Sequence, residues 1–110
     1  MACMDTPTEL IDDYFHRATD PDLERYFAQF AAGALVEDEG VEHRGIDAIR
    51  GWRRGVPPVR YEVLDVVTGE DGITTARADI SGEFPGSPVT LTFRFAFDVD
   101  RRIESLTIRS

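Results

Sequence analysis

Lysine is absent from this chain of 110 residues, and all twelve basic side chains are arginine. That excludes a lysine Schiff base with a substrate or with pyridoxal phosphate. Asparagine is absent as well, so any donor to a developing oxyanion must be Tyr, His, Trp, a protonated acid or the backbone. The single cysteine, Cys3, falls in what reads as a frayed N-terminus and has no partner, so a disulfide framework and a cysteine-rich zinc site are both excluded. His16 and His43 alone make no metal motif, and neither a metal nor a cofactor is expected. No apolar run approaches a membrane span, and the N-terminus shows no signal-peptide core. Basic charge is outnumbered, with 21 acids and a net charge of −9. This argues against nucleic acid and anionic membranes as partners. A reducing cytoplasm is the compartment these absences fit.

The length allows a single domain over residues 1–110. A chain of this size buries only about two-thirds of its unfolded surface, and seven Phe, three Tyr and one Trp supply most of the bulk. Thr6-Pro7-Thr8-Glu9 predicts a helix start, with Thr6 as cap and Pro7 at the first helical position. Leu10, Ile11, Tyr14, Phe15 and Ala18 share one apolar face at helical spacing. Asp20 then predicts the cap of a second helix with Leu23, Tyr26, Phe27, Phe30 and Ala31 inward and Gly33 at its end. Ile46, Ile49 and Trp52 define a third helix, closed by Arg53-Arg54, Gly55 and Pro57-Pro58.

From Val59 onward the period becomes two. Val59, Tyr61 and Val63 alternate with charged residues until Leu64-Asp65-Val66-Val67 breaks the phase, which predicts a bulge. Asp71-Gly72 marks a hairpin, and Thr74, Ala76, Ala78, Ile80 and Phe84 form the next inward row. Val89, Leu91, Phe93, Phe95 and Phe97 give the cleanest alternation, and Arg102–Arg109 reads as a last strand with Leu106 and Ile108 inward. The fold class is α+β: a curled antiparallel sheet wrapped around three N-terminal helices, a cone-shaped barrel with an internal apolar pocket. Tyr14, Phe27, Phe30 and Trp52 are expected to line that pocket. Val36, Phe93, Phe95 and Leu106 are its expected strand residues, with His43 at its lip. The outer sheet face suits a homodimer with two-fold symmetry.

Between the second and third helices lies Ala34-Leu-Val-Glu-Asp-Glu-Gly-Val-Glu-His-Arg-Gly45. It reads as a short strand, a turn at Glu39-Gly40, a return through Val41-Glu42-His43 and a helix start at Gly45. Asp38 sits among Glu37, Glu39 and Glu42. So many carboxylates close together cannot all ionise without repulsion, and a carboxyl that holds its proton more tightly beside a cavity suits a general base. The plainer reading is a solvated acidic turn.

Tyr14, Asp20-Pro21-Asp22-Leu23, Phe30 through Asp38, Gly45-x-x-Ala48-Ile49-Arg50 and the phenylalanine strand 93–97 together resemble the nuclear-transport-factor-2-like fold. They fit its ketosteroid-isomerase-like and SnoaL-like branch over nearly the whole chain. The resemblance implies Asp38 as a proton shuttle at the end of the first strand and Tyr14 as hydrogen-bond donor to a dienolate oxygen. It also implies a second acid on a later strand, where Phe93 stands with Thr92 beside it, and a supporting tyrosine, where Arg53 stands. Limonene-epoxide-hydrolase relatives need an asparagine that this chain lacks. The expected activity is cofactor-independent isomerisation or cyclisation of a small hydrophobic carbonyl compound. The alternative is a non-catalytic, dimeric ligand-binding or scaffold module, with Tyr14 bonded to backbone inside a closed core.

Overall fold

The computed structural model describes residues 7–20, 22–55, 59–69, 71–82 and 85–109. Helix α1 (Pro7–Ala18) buries Ile11, Tyr14, Phe15 and Ala18, the i, i+3, i+4, i+7 stripe of an amphipathic helix. Thr6, its expected cap, lies outside the described residues, as do Cys3, Pro57-Pro58 and Phe84.

The second helix is far shorter than the sequence predicts. Asp20 Oδ1 accepts the amide of Asp22 at 2.8 Å, and Asp22 Oδ1 accepts that of Glu24 at 3.1 Å. These turns lead into α2 (Glu24–Phe27), which places Tyr26 and Phe27 in the core and then stops. Phe30, Ala31 and Gly33 are not helical, because Phe30–Asp38 forms strand β1. The physical reason is tertiary. The Gln29 carbonyl accepts the Ile103 amide at 2.7 Å and Phe30 pairs with Ile103, so sheet pairing overrides the helix preference of the alanine-rich run.

Strand β1 reverses at Glu39-Gly40, with φ of 50° and 89°, and returns as β2 (Val41–Arg44). Gly45, at φ 88°, then starts α3 (Ile46–Arg54) while its amide donates to the Ala34 carbonyl at 2.8 Å. The rest is a meander of β3 (Val59–Thr68), β4 (Thr74–Gly82), β5 (Val89–Phe97) and β6 (Ile103–Arg109). The predicted bulge in β3 is present as a register shift between Val63 and Asp65.

The strands form one sheet in the order β2-β1-β6-β5-β4-β3, curled and unclosed, with the helices against its concave side. All pairings are antiparallel except β1 with β6, which run parallel. The sheet is the curled, mainly antiparallel one expected, with one parallel seam that the sequence did not announce. No hairpin joins these two strands, so the long excursion through α3 and the meander leaves their relative direction free.

Packing inside the curl is complementary in size. Phe93 and Phe95 point inward from β5, and in register beside them on β4 stand Ala76 and Thr74. The small neighbours leave room for the rings, with Phe95 edge-on to Tyr14 at 5.0 Å and Phe93 edge-on to Phe15 at 5.0 Å. Glu24 ties α2 to α3 through a bidentate pair with Arg50 at 2.8 and 3.0 Å. The same Arg50 guanidinium lies 4.5 Å from the centre of the Phe27 ring.

Candidate functional site

The helices do not fill the curl, and a cavity of about 310 Å³ remains. Its walls are apolar: Val59 on β3, Ile80 on β4, Val89, Leu91 and Phe93 on β5, and Ile108 on β6. Its polar groups come from α1 (Tyr14), the end of β1 (Asp38), α3 (Trp52 and Arg53) and β3 (Tyr61).

Asp38 is the one acid of the crowded stretch that reaches this cavity. Alternation along β1 and the reversal at Gly40 divide the four. Glu37 forms an ion pair with Arg109 on β6 and stands in register opposite Glu42, while Glu39 is exposed in the turn. The carboxylate of Asp38 instead accepts the indole N–H of Trp52 through Oδ2 at 3.0 Å. That bond engages Oδ2 and leaves Oδ1 outside it.

Tyr14, 2 % exposed, shares a hydrogen bond of 2.8 Å with the hydroxyl of Tyr26, which is fully buried. Its partner is therefore a second phenol rather than a backbone carbonyl. Burial is the main force raising the Tyr14 hydroxyl well above its ordinary value of 10.0, and the phenols of Tyr26 and Tyr61 add to it. Burial also raises Tyr26, against the opposing pull of Arg53. Both phenols are thus neutral donors at physiological pH. A folded-state pKa above the unfolded one stabilises the fold below about pH 10, and that stability is lost as pH rises beyond it. In a spectrophotometric tyrosine titration, Tyr14 and Tyr26 should give no phenolate signal until the far-UV circular dichroism collapses. Ionisation of all three tyrosines in the intact fold would contradict the buried pair.

Arg53 is half-buried and spans the region between α3, α1 and β3. One terminal nitrogen donates to the Ala18 carbonyl at 2.6 Å, the other reaches the Tyr61 hydroxyl at 3.4 Å, and the guanidinium lies 4.8 Å from the Tyr26 ring centre.

Of the residues singled out in the sequence, the structure brings Tyr14, Asp38, Trp52 and Phe93 to the cavity. Phe27, Phe30, Val36, Phe95 and Leu106 are buried core residues that do not line it. His43 sits on β2 with its ring 6.0 Å from that of Trp52, beside the site rather than in it. The sequence reading assigns Tyr26 and Tyr61 no part in the site, and treats Arg53 mainly as a helix C-terminal residue with anion binding as the lesser alternative. Arg53 had a usable signal, since it lies on the i, i+3, i+7 face begun by Ile46 and Ile49. Among the described residues, no three His, Cys, Asp or Glu side chains gather where a metal ion could be held. Among the described residues, no helix is long and apolar enough to cross a membrane.

The chain matches no protein-family model and no curated protein. Solved structures do match. A protein from Sinorhizobium meliloti, provisionally named a polyketide cyclase, is 37% identical, with 99% of this chain and 100% of that one covered and a TM-score of 0.83. A protein from Catenulispora acidiphila with a ketosteroid-isomerase-like fold, in complex with trimethylamine, is 18% identical, covering 96% and 87% of the two chains at a TM-score of 0.78. A SnoaL-like protein of unknown function from Burkholderia thailandensis is 15% identical, covering 93% and 92% at a TM-score of 0.77.

Proposed function

Because this chain belongs to the nuclear-transport-factor-2-like family, in its ketosteroid-isomerase-like and SnoaL-like branch, we propose that it is a cofactor-independent proton-transfer enzyme acting on a hydrophobic carbonyl compound. The observation that supports this most is the arrangement of Asp38 and Tyr14 on one apolar cavity, each with its second contact supplied by another side chain. Asp38 Oδ1 removes a proton alpha to the carbonyl, and the electron pair moves onto the carbonyl oxygen. Tyr14 donates its hydroxyl proton in a hydrogen bond to that oxygen, while Tyr26 turns its own hydroxyl to donate to Tyr14. Apolar walls keep the donors strong by excluding water.

The enolate then has two outcomes. Asp38 returns its proton to a different carbon, giving an isomer, or the enolate carbon attacks a second carbonyl of the same molecule, closing a ring as the new alkoxide takes up a proton. The naming of the Sinorhizobium relative favours the second. The reading includes a cytoplasmic homodimer joined through the outer sheet face, where Leu64 and Val67 of β3 are exposed.

The test is exchange of alpha protons for deuterium, followed by NMR over a panel of apolar ketones, diketones and keto acids in deuterium oxide. It reports the base and the oxyanion donor without requiring the complete reaction. Tyr14→Phe should slow exchange by about 10²–10³, the typical cost of one oxyanion donor. A Tyr14→Phe protein as fast as wild type would remove Tyr14 from the mechanism. If no ketone exchanges above the buffer rate, the cavity is left as a ligand-binding site without chemistry.

A further inference from the structure

The chain carries a net charge of −9, yet an arginine, Arg53, lines its apolar cavity. The other arginines fixed by ion pairs meet carboxylates: Arg50 meets Glu24, Arg77 meets Asp65 and Arg109 meets Glu37. Arg53 differs. Its contacts among the described residues are a carbonyl, a phenol hydroxyl and a phenol ring, all neutral. An arginine cannot lose its charge, and the charge costs free energy when it leaves bulk water without an anion beside it. The Ala18 carbonyl holds one terminal nitrogen firmly, but the contact to Tyr61 at 3.4 Å is long. The guanidinium is therefore positioned without being neutralised, at a wall of the cavity that also holds Asp38 and Tyr14.

We propose that Arg53 is the anchor for a carboxylate on the ligand, so that the cavity takes apolar keto acids rather than neutral ketones. The acid end lies against Arg53 beside Tyr61, the ketone oxygen meets Tyr14, and the carbon between them faces Asp38. Val59, Val89 and Leu91 cover the apolar part. The anchor also removes an electrostatic conflict. An ionised Asp38 would repel an anionic substrate from a low-dielectric cavity, and a fixed positive charge offsets that repulsion. Arginine suits the task because its fork meets both carboxylate oxygens together. This inference rests on the cavity being the substrate site, and it is independent of whether Asp38 moves a proton.

Isothermal titration calorimetry with adamantane-1-carboxylate and adamantane-1-carboxamide tests it, since the two probes share shape and differ in charge. In the wild-type protein the acid should bind about tenfold or more tightly than the amide, the range expected of a charged hydrogen bond. Arg53→Gln should erase that difference by weakening the acid, and Arg53→Lys should restore part of it through charge without the fork. Equal affinities in the wild type, an acid that does not bind, or a preference that survives Arg53→Gln would each overturn the anchor. If far-UV circular dichroism shows that Arg53→Gln does not fold, the wild-type comparison of acid and amide decides alone. Running Asp38→Asn beside these separates the two readings. An acid preference with proton exchange unaffected by Asp38→Asn removes the catalytic reading and keeps the anchor. Exchange that depends on Asp38, with acid and amide bound equally, does the reverse.

Discussion

Replacing Asp38 with Asn should lower the rate of alpha-proton exchange by about 10²–10⁴, the usual contribution of a positioned base, while leaving the fold intact. Asn keeps the size of the side chain, and its amide oxygen can still accept the Trp52 indole N–H, which Asp38 Oδ2 accepts at 3.0 Å. What it loses is the basic oxygen. Binding of a non-reacting ligand should therefore change little while turnover falls. Glu37→Gln is the matched control, because Glu37 lies one residue away but pairs with Arg109 outside the cavity. Equal losses from the two substitutions would show that local negative charge, and not Asp38 as a base, supports the reaction.

Phe95→Ala should destabilise the protein by about 3–5 kcal/mol, a large share of the roughly 5–15 kcal/mol that separates a domain from its unfolded state. Phe95 has no exposed surface, sits edge-on to Tyr14 at 5.0 Å and stacks at 6.0 Å from Phe97. Truncation leaves a void flanked by the elements least able to move into it, because β5 is central and paired on both edges. The urea midpoint reads this directly, with Val99→Ala as control, since Val99 is 96% exposed and should shift stability by less than about 0.5 kcal/mol. A Phe95→Ala loss below about 1 kcal/mol would mean that the strand does not pack as described. Activity should fall as well, because the ring that fixes Tyr14 is gone.

The elements that could be read from sequence are those whose signals are local. The β1–β2 reversal followed from Glu39-Gly40, the entry to α3 from Gly45, and the faces of β4 and β5 from strict alternation. The stretch from Phe30 to Gly33 was misread as the end of a helix because its partner, β6, lies far along the chain and no local pattern announces it. The parallel direction of that pairing was hidden for the same reason. In the site, Asp38 and Tyr14 stood out through their chemistry and their place in the resemblance. Phe95 and Leu106, expected at the pocket, are instead core. All inward strand residues share one period, and which of them meet a helix and which meet open space depends on where α1 and α3 end. Tyr26 was read only as core and Arg53 mainly as a helix-end charge, because an apolar-face tyrosine and an arginine at a helix end each have an ordinary explanation that sequence cannot remove.

The parallel seam between β1 and β6 has a consequence for how the protein is made. Asp38 pairs with Ile108, and Glu37 and Arg109 join across 72 positions of chain. A nascent chain therefore exposes β1 and β2 long before the strand that locks them in place has left the ribosome. The β3–β5 meander can form earlier, because its contacts are local and its loops short. Completion of the cavity that holds Asp38 waits for the last strand, and until then the hairpin bearing the acid has an unpaired edge.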